Sequence, residues 1–234
     1  MPLKKKVLKK AALGMGILGA AFFILAKFLT ADSVHTMNIS KKGSKEIIVI
    51  DPGHGGFDPG KVGVSGSLEK DINLSIALKL RKVLEDSGYT VYMTRETDMS
   101  LCDESQTGKK RADLAKRVEI IEKSEPALTI SIHQNSYSAG TSGAQVFYYS
   151  HSERGKKLAG LLQEQIKELV QPENHRVEKE NSSYYMLKQV STPLVIVECG
   201  FLSNPSEEQL LLQENYQEKL ARAIGEGVEK FLYK

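Results

Sequence analysis

Two histidines and two glutamates occupy positions from which they could bind a metal ion or transfer protons. His54 lies in a turn rich in glycine and proline, DPGHGGFDPG, that follows a short apolar, β-branched run at residues 47–50. His133 and Glu198 each follow another apolar run, and Glu69 opens an amphipathic segment shortly after the His54 turn. Imidazole and carboxylate groups commonly bind catalytic zinc and act as general bases near neutral pH.

These residue types predict a divalent metal site, in which two neutral imidazoles and one carboxylate hold zinc and leave one position open. The residues alone allow either Glu69 or Glu198 as the third ligand. Glu69 is close to His54 along the chain, so one local segment could supply two ligands. Simpler roles also exist: an exposed turn residue for His54, a buried, backbone-bonded histidine for His133, and a helix-start acid for Glu69.

The elements that must position these residues alternate between strand and helix along the chain. We expect a single α/β domain with a twisted, mixed but mostly parallel sheet and helices on both faces. Ligands bind outside the carboxyl ends of strands in such sheets, so His54, His133 and Glu198 should converge there. The predicted strands cover residues 47–50, 89–94, 127–132, 144–149, 184–187 and 194–197. The predicted helices cover residues 68–88, 112–121, 153–170 and 216–232, and a further helix starts near Asn204 with Ser206 as its N-cap.

Composition and charge separate a leader from the main domain. The chain has 234 residues, of which 41% are hydrophobic and 26% charged, enough for one domain with a substantial core. Residues 1–31 hold six lysines, no acid and an apolar run at residues 11–26, which is typical of a signal peptide or an N-terminal membrane anchor. Either one exports residues 45–234, the predicted catalytic domain, beyond a polar linker at residues 32–44. Because the net charge of +3 is concentrated in the leader, the domain lacks a cationic surface for nucleic acid.

Other chemistries have weaker support in the sequence. The GHGG stretch lacks the Lys-Ser/Thr of a phosphate-binding loop, and neither G-x-S-x-G nor H-E-x-x-H is present. Cys102 and Cys199 are the only cysteines; they could pair in an exported protein, although free thiols are the simpler expectation. Cys199 follows an apolar strand, which favours a packed thiol over a nucleophile.

The stretches IVIDPGHGG, SIHQNS and VECGFLSNPSE, in this order and spacing, resemble the amidase-3 family of zinc-dependent N-acetylmuramoyl-L-alanine amidases. The resemblance covers about residues 45–234. It implies that His54, Glu69 and His133 bind one Zn²⁺ per domain and that Glu198 is the catalytic carboxylate. It also implies a peptidoglycan substrate, cleaved at the amide between N-acetylmuramic acid and L-alanine. The candidate substrate contacts are Asn135, Ser136 and Gly143.

The lysine-rich leader and the stretches MTRETD and SGAQVFYY are similar to the germination-specific amidases of spore-forming bacteria. This resemblance implies a role in the spore cortex, where peptide removal allows muramic δ-lactam to form. Gln134 and Ser136 stand where many family members carry small residues, but no predicted ligand is missing. The alternatives are a catalytically silent, membrane-tethered wall-binding or regulatory protein of the same fold, and a metallopeptidase. The need for an accessory protein stays open.

Overall fold

The computed structural model describes residues 46–233, which form one six-stranded sheet with helices on both faces. The strands are β1 (Ile47–Pro52), β2 (Thr90–Met93), β3 (Leu128–Asn135), β4 (Gln145–Tyr149), β5 (Lys179–Asn181) and β6 (Leu194–Phe201). The helices are α1 (Glu69–Asp86), α2 (Lys109–Ser124), α3 (Glu153–Leu169), α4 (Tyr185–Gln189), α5 (Pro205–Leu211) and α6 (Glu214–Leu232).

The sheet has the strand order β2-β1-β3-β6-β4-β5. Strands β2, β1, β3 and β6 run parallel to one another, whereas β4 is antiparallel to β6 and parallel to β5. The predicted α/β class with a mixed, mostly parallel sheet is therefore confirmed. Because β1, β3 and β6 are parallel neighbours, their carboxyl ends meet at one edge of the sheet.

The two faces of the sheet are covered unequally. Side chains of Ile48 and Ile50 join a large buried cluster under α1, α3 and α6, while Val49 joins a smaller cluster with residues of α2 and α4. Adjacent residues of a strand face opposite sides, so His133 and Glu198 share the face of the smaller cluster. Helix α4 has only five residues. The face of the sheet that carries His133 and Glu198 is therefore less completely covered by helices, which leaves space for a site.

Two strands extend further than the sequence pattern predicted. Strand β3 continues to Asn135 and β6 to Phe201, so His133 and Glu198 lie inside the strands rather than just past them. They also occupy directly paired positions in the parallel register. The predicted convergence thus arises from two adjacent strands, with the His54 turn following β1 on the other side of β3.

Three local predictions were wrong or incomplete. Residues 184–187 are not a strand: the Asn181 side chain accepts the N–H groups of Ser183 and Tyr184, which turns the chain into α4. Helix α5 is capped by Asn204, which accepts the N–H groups of Ser206 and Glu207, so Ser206 is not the cap. Strand β5 is short and polar, and no apolar periodicity marked it.

The predicted leader at residues 1–31 and linker at residues 32–44 lie outside the described residues. Within residues 46–233, no helix has both the length and the apolar character that crossing a bilayer requires.

Candidate functional site

The turn after β1 presents His54 in an unusual backbone conformation. His54 has a φ of 62°, in the left-handed region that residues other than glycine rarely adopt. Gly53 brings the turn against the neighbouring strand, because a Cβ at this position would lie 2.2 Å from the His133 ring. The ring centroids of His54 and His133 are 4.9 Å apart. The glycine-rich sequence is therefore what allows the two imidazoles to approach each other.

Glu69 is the first residue of α1, and its carboxylate lies between the two histidines. Its Oε2 atom is 3.2 Å from His54 Nε2, and its Oε1 atom is 3.0 Å from His133 Nδ1. The same two oxygens accept the backbone N–H groups of Lys61 at 2.7 Å and Gln134 at 3.0 Å. Backbone from both flanking segments thus fixes the carboxylate in place.

His54, Glu69 and His133 form a compact set of possible metal ligands. One donor atom from each residue lies within 4.8 Å of the others. Burial opposes ionisation of Glu69, but the hydrogen bonds and charges of His133 and His54 outweigh it and hold the pKa of this carboxyl far below its usual range. Two imidazoles and an ionised carboxylate are a donor set that fits a catalytic zinc ion.

Asp58 orients the ring of His54. His54 Nδ1 donates to Asp58 Oδ2 at 3.0 Å, and Lys110 Nζ lies 2.9 Å from the other oxygen of Asp58. With Nδ1 carrying the proton, Nε2 is left as the metal-binding atom, the arrangement that metal-binding histidines commonly adopt. No role for Asp58 was predicted; the one signal for it in the sequence is its position four residues after His54 in the same turn.

Glu198 is a buried carboxylate beside this ligand set. It pairs in register with His133 and is 9% exposed, and its Oε2 atom has no hydrogen-bond partner among residues 46–233. Burial raises the pKa of Glu198 to about 7, and the charge of Glu69 adds to the rise while the two histidines oppose it. A carboxyl with a pKa near neutrality can both accept and return a proton.

These residues line a cavity of about 320 Å³. Its remaining wall is largely apolar and aromatic, and includes Tyr184, Tyr185 and Met186 from the start of α4. The aromatic residues of this segment predicted a strand, so the sequence pattern did not indicate this wall. The cavity has room for a ligand larger than a metal ion, with the carboxylate of Glu198 on its surface.

The three predicted substrate contacts lie outside the described lining of this cavity. Asn135 ends β3, and its side chain accepts the N–H group of Ser136 at 2.8 Å. Gly143 lines a different cavity, where its N–H group donates to Glu207 at 2.8 Å.

The cysteines are not paired. Both Cys102 and Cys199 are free thiols, and Cys199 is fully buried.

Comparison with known proteins gives a consistent result. Residues 48–230 match the family model described as N-acetylmuramoyl-L-alanine amidase (Amidase_3). The germination-specific N-acetylmuramoyl-L-alanine amidase of Bacillus subtilis is 37% identical over 97% of this chain and 96% of its own length. The amidase AmiA of Escherichia coli is 30% identical over 98% of this chain and 92% of its own length. The CwlD amidase of Clostridioides difficile, solved in complex with the GerS lipoprotein, matches with a TM-score of 0.79 and 42% identity, covering 81% of this chain and 99% of that structure.

Proposed function

Because this chain belongs to the amidase-3 family of N-acetylmuramoyl-L-alanine amidases, we propose that it is a zinc-dependent hydrolase of the muramoyl–L-alanine amide in peptidoglycan. Its zinc ligands are His54, Glu69 and His133, and its catalytic carboxylate is Glu198. The observation that carries the proposal is the convergence of the three ligand side chains beside a buried carboxylate with an unpaired oxygen.

The proposed ligand set binds one zinc ion per domain. When bound, zinc supplies a Lewis acid that polarises a carbonyl and lowers the pKa of water. Asp58 keeps the Nε2 atom of His54 free of a proton, and the N–H groups of Lys61 and Gln134 orient Glu69. Further contacts or a regular strand therefore hold all three metal-binding side chains in place before the zinc ion binds.

Glu198 performs the proton transfers in this mechanism. It accepts a proton from the water that attacks the lactyl carbonyl carbon, and it gives a proton to the amide nitrogen as the carbon–nitrogen bond breaks. The products are the carboxylate of muramic acid and a peptide with a free L-alanine amine. Protonation of nitrogen is required because an amide nitrogen leaves poorly as an anion.

The biological setting we propose is the spore cortex, where removal of the peptide permits muramic δ-lactam formation. Its support is the similarity to the germination-specific amidase over nearly the whole of both chains. The basic, apolar leader would export the domain or anchor it at the outer face of the membrane. The complex of the similar C. difficile amidase with a lipoprotein supports an accessory lipoprotein as a partner here as well.

The proposal is tested by incubating purified full-length protein with peptidoglycan, with added zinc or with a chelator, and analysing the products by mass spectrometry. We expect zinc-dependent release of peptides that begin with L-alanine, with glycan strands left intact. New reducing sugar ends would indicate a glycosidase, and new peptide termini within the stem would indicate a metallopeptidase. Binding of peptidoglycan without any cleavage would support the silent wall-binding alternative.

A further inference from the structure

The turn that carries His54 requires contacts from outside itself. The positive φ of His54 is unfavourable for a residue with a side chain, and Gly55 and Gly56 beside it also have positive φ values of 131° and 54°. Within the turn, Gly55 and Asp58 exchange two backbone hydrogen bonds. These bonds close the turn but do not fix where it stands relative to α1, which carries Glu69.

Arg95 supplies contacts of this kind. Its Nε atom donates to the carbonyl of Pro52 at 2.9 Å, and its Nη2 atom donates to the carbonyl of Gly53 at 3.0 Å and to that of Lys70 at 2.8 Å. Pro52 and Gly53 lead directly into His54, and Lys70 follows Glu69 in the first turn of α1. One guanidinium group therefore joins the backbone beside one ligand to the backbone beside another.

The electrostatics of Arg95 are unusual for a buried arginine. Arg95 is 2% exposed, yet no carboxylate oxygen of residues 46–233 lies within ion-pair distance of it. Neighbouring Arg117, by contrast, forms ion pairs with Asp51 and Asp113. Burial, reinforced by the charge of Arg117, lowers the pKa of Arg95 to about 10. A buried cation without a direct counter-ion costs stability, so packing alone gives no reason for an arginine at this position.

The backbone of the turn makes room for the guanidinium. A Cβ on Gly55 would lie 2.9 Å from Arg95 Nε and 3.0 Å from its Cδ atom. The carbonyl of Gly53 also accepts Asn73 Nδ2 at 3.1 Å, so α1 holds the same peptide group from a second side. The Nη1 atom of Arg95 also donates to the carbonyl of Thr97 at 3.1 Å. Lysine could not replace arginine here, because a single ammonium group cannot place donors in the fixed fork that reaches all four carbonyls.

We propose that Arg95 is a positioning residue that sets the separation between His54 and Glu69, and thereby the affinity and geometry of the metal site. This inference rests on the proposed function, since it assumes that these two residues bind zinc. It predicts that Arg95 affects metal binding itself, and not only the stability of the fold.

The test compares Arg95→Lys with Leu220→Ala in the full-length protein. Leu220 is fully buried on α6, in the core on the other face of the sheet, so its truncation destabilises the fold without touching the turn. Zinc affinity is measured by competition with a chromogenic chelator, site geometry by the visible absorption of the cobalt-substituted protein, and stability by thermal unfolding with chelator present. Arg95→Gln serves as the second variant if Arg95→Lys does not fold.

We expect Arg95→Lys to raise the zinc dissociation constant about 10- to 100-fold and to change the cobalt spectrum. Loss of a contact that orients a metal ligand commonly has an effect of this size. Leu220→Ala should lower the unfolding temperature while zinc affinity and spectrum stay as in the wild type. Wild-type affinity and spectrum in Arg95→Lys, or equal losses in Leu220→Ala, would overturn the inference. If the wild-type protein binds no zinc, the proposed function fails as well; if it binds zinc and cleaves peptidoglycan, only this inference is at stake.

Discussion

Glu198 and Glu207 lie in two different cavities, although both belong to the stretch of chain that runs from β6 into α5. Burial raises the pKa of both carboxyl groups. Glu207 has partners for both oxygens: Oε1 accepts the N–H group of Gly143 and Oε2 that of Phe201, each at 2.8 Å. In the part of the chain that the structure describes, the Oε2 atom of Glu198 has no hydrogen-bond partner, and the side chain shares its cavity with two histidines and a second glutamate.

The difference shows that neither cavity size nor a raised pKa distinguishes the proposed site from the second cavity. The Glu207 cavity is the larger one, about 590 Å³ against about 320 Å³. Glu207 in this cavity links a loop to the sheet, and each of its two oxygens accepts a hydrogen bond from the backbone. Buried polar atoms are nearly always hydrogen-bonded, so an unpaired carboxylate oxygen needs a separate explanation. A substrate or water that binds beside the proposed metal ligands provides one for Glu198.

The largest expected effect follows from removing a ligand at the Glu198 cavity. Glu69→Gln should lose zinc and hydrolytic activity together, because a neutral amide is a poor replacement for a charged ligand held between two histidines. Metal content by mass spectrometry and peptide release from peptidoglycan measure the two losses. Full zinc content in Glu69→Gln would mean that this residue only assists the start of α1.

The zinc affinity of the wild type should decrease when the pH is lowered below about 6, because protonated imidazoles cannot bind metal.

Changing the base should separate metal binding from catalysis. Glu198→Gln keeps the shape of the side chain but cannot accept a proton, so we expect near-normal zinc content and a rate loss of at least about 10²-fold. The rate of peptide release and the metal content of the same preparation measure the two quantities. A zinc-free Glu198→Gln protein would instead make Glu198 a ligand.

The same variant should be more stable than the wild type at high pH. The pKa of Glu198 is raised from 4.5 to about 7, so ionisation in the fold costs up to about 3 kcal/mol at about 1.4 kcal/mol per pKa unit. Because the pKa of Glu198 is raised in the folded state, the protonated side chain contributes stability that is fully present below about pH 4.5. This contribution is lost as the pH rises through about 7 and the carboxyl ionises. Urea unfolding with chelator should show Glu198→Gln to be more stable at pH 8, with the difference disappearing near pH 4.5. An equal or lower stability of the variant at pH 8 would contradict an ionised, unpaired Glu198.

The convergence of His54, His133 and Glu198 could be predicted because a local signal marks each position, whereas the choice of Glu69 as a ligand came only from the resemblance to the amidase-3 family. A glycine-rich turn after an apolar run marks His54, and apolar runs mark the strands that bring His133 and Glu198 together. The order of these strands in the sheet was not needed, since parallel strands place their carboxyl ends at one edge in any order.

What could not be predicted depends on contacts between distant segments. The wall formed by Tyr184 and its neighbours follows from a turn at Asn181, while the aromatic residues by themselves favoured a strand. Glu207 gave no signal because one of its donors, the N–H group of Gly143, lies in a loop far away in the sequence. The contacts of Arg95 could not be predicted either, since its acceptors include backbone carbonyls of two other segments.

At the second cavity, Glu207→Gln should have the opposite effect to Glu198→Gln. The amide can accept one of the two backbone N–H groups, but its NH₂ group then faces the other, so one buried donor loses its partner. Burial also raises the pKa of Glu207, so loss of the buried charge offsets part of this cost, and we expect a net loss of about 1.5 kcal/mol in the free energy of unfolding at pH 8. Peptide release per zinc-loaded molecule should be unchanged. A rate loss comparable to that of Glu198→Gln would show that the second cavity takes part in catalysis.

The smallest expected effect is that of Gly143→Ala, which decides whether this glycine contacts substrate, as the sequence suggested, or supports the loop. Gly143 has a φ of 92°, and an added Cβ would lie 2.6 Å from Asn174 Oδ1. The substitution should therefore strain the backbone and displace Asn174, whose Nδ2 atom donates to the carbonyl of Ala144. Such strain typically costs about 1 kcal/mol or somewhat more, visible in urea unfolding. The Michaelis constant for peptidoglycan fragments should not change, because Gly143 faces the cavity of Glu207. A raised Michaelis constant with unchanged stability would instead place substrate at this loop, and the two cavities would have to be treated as one binding surface.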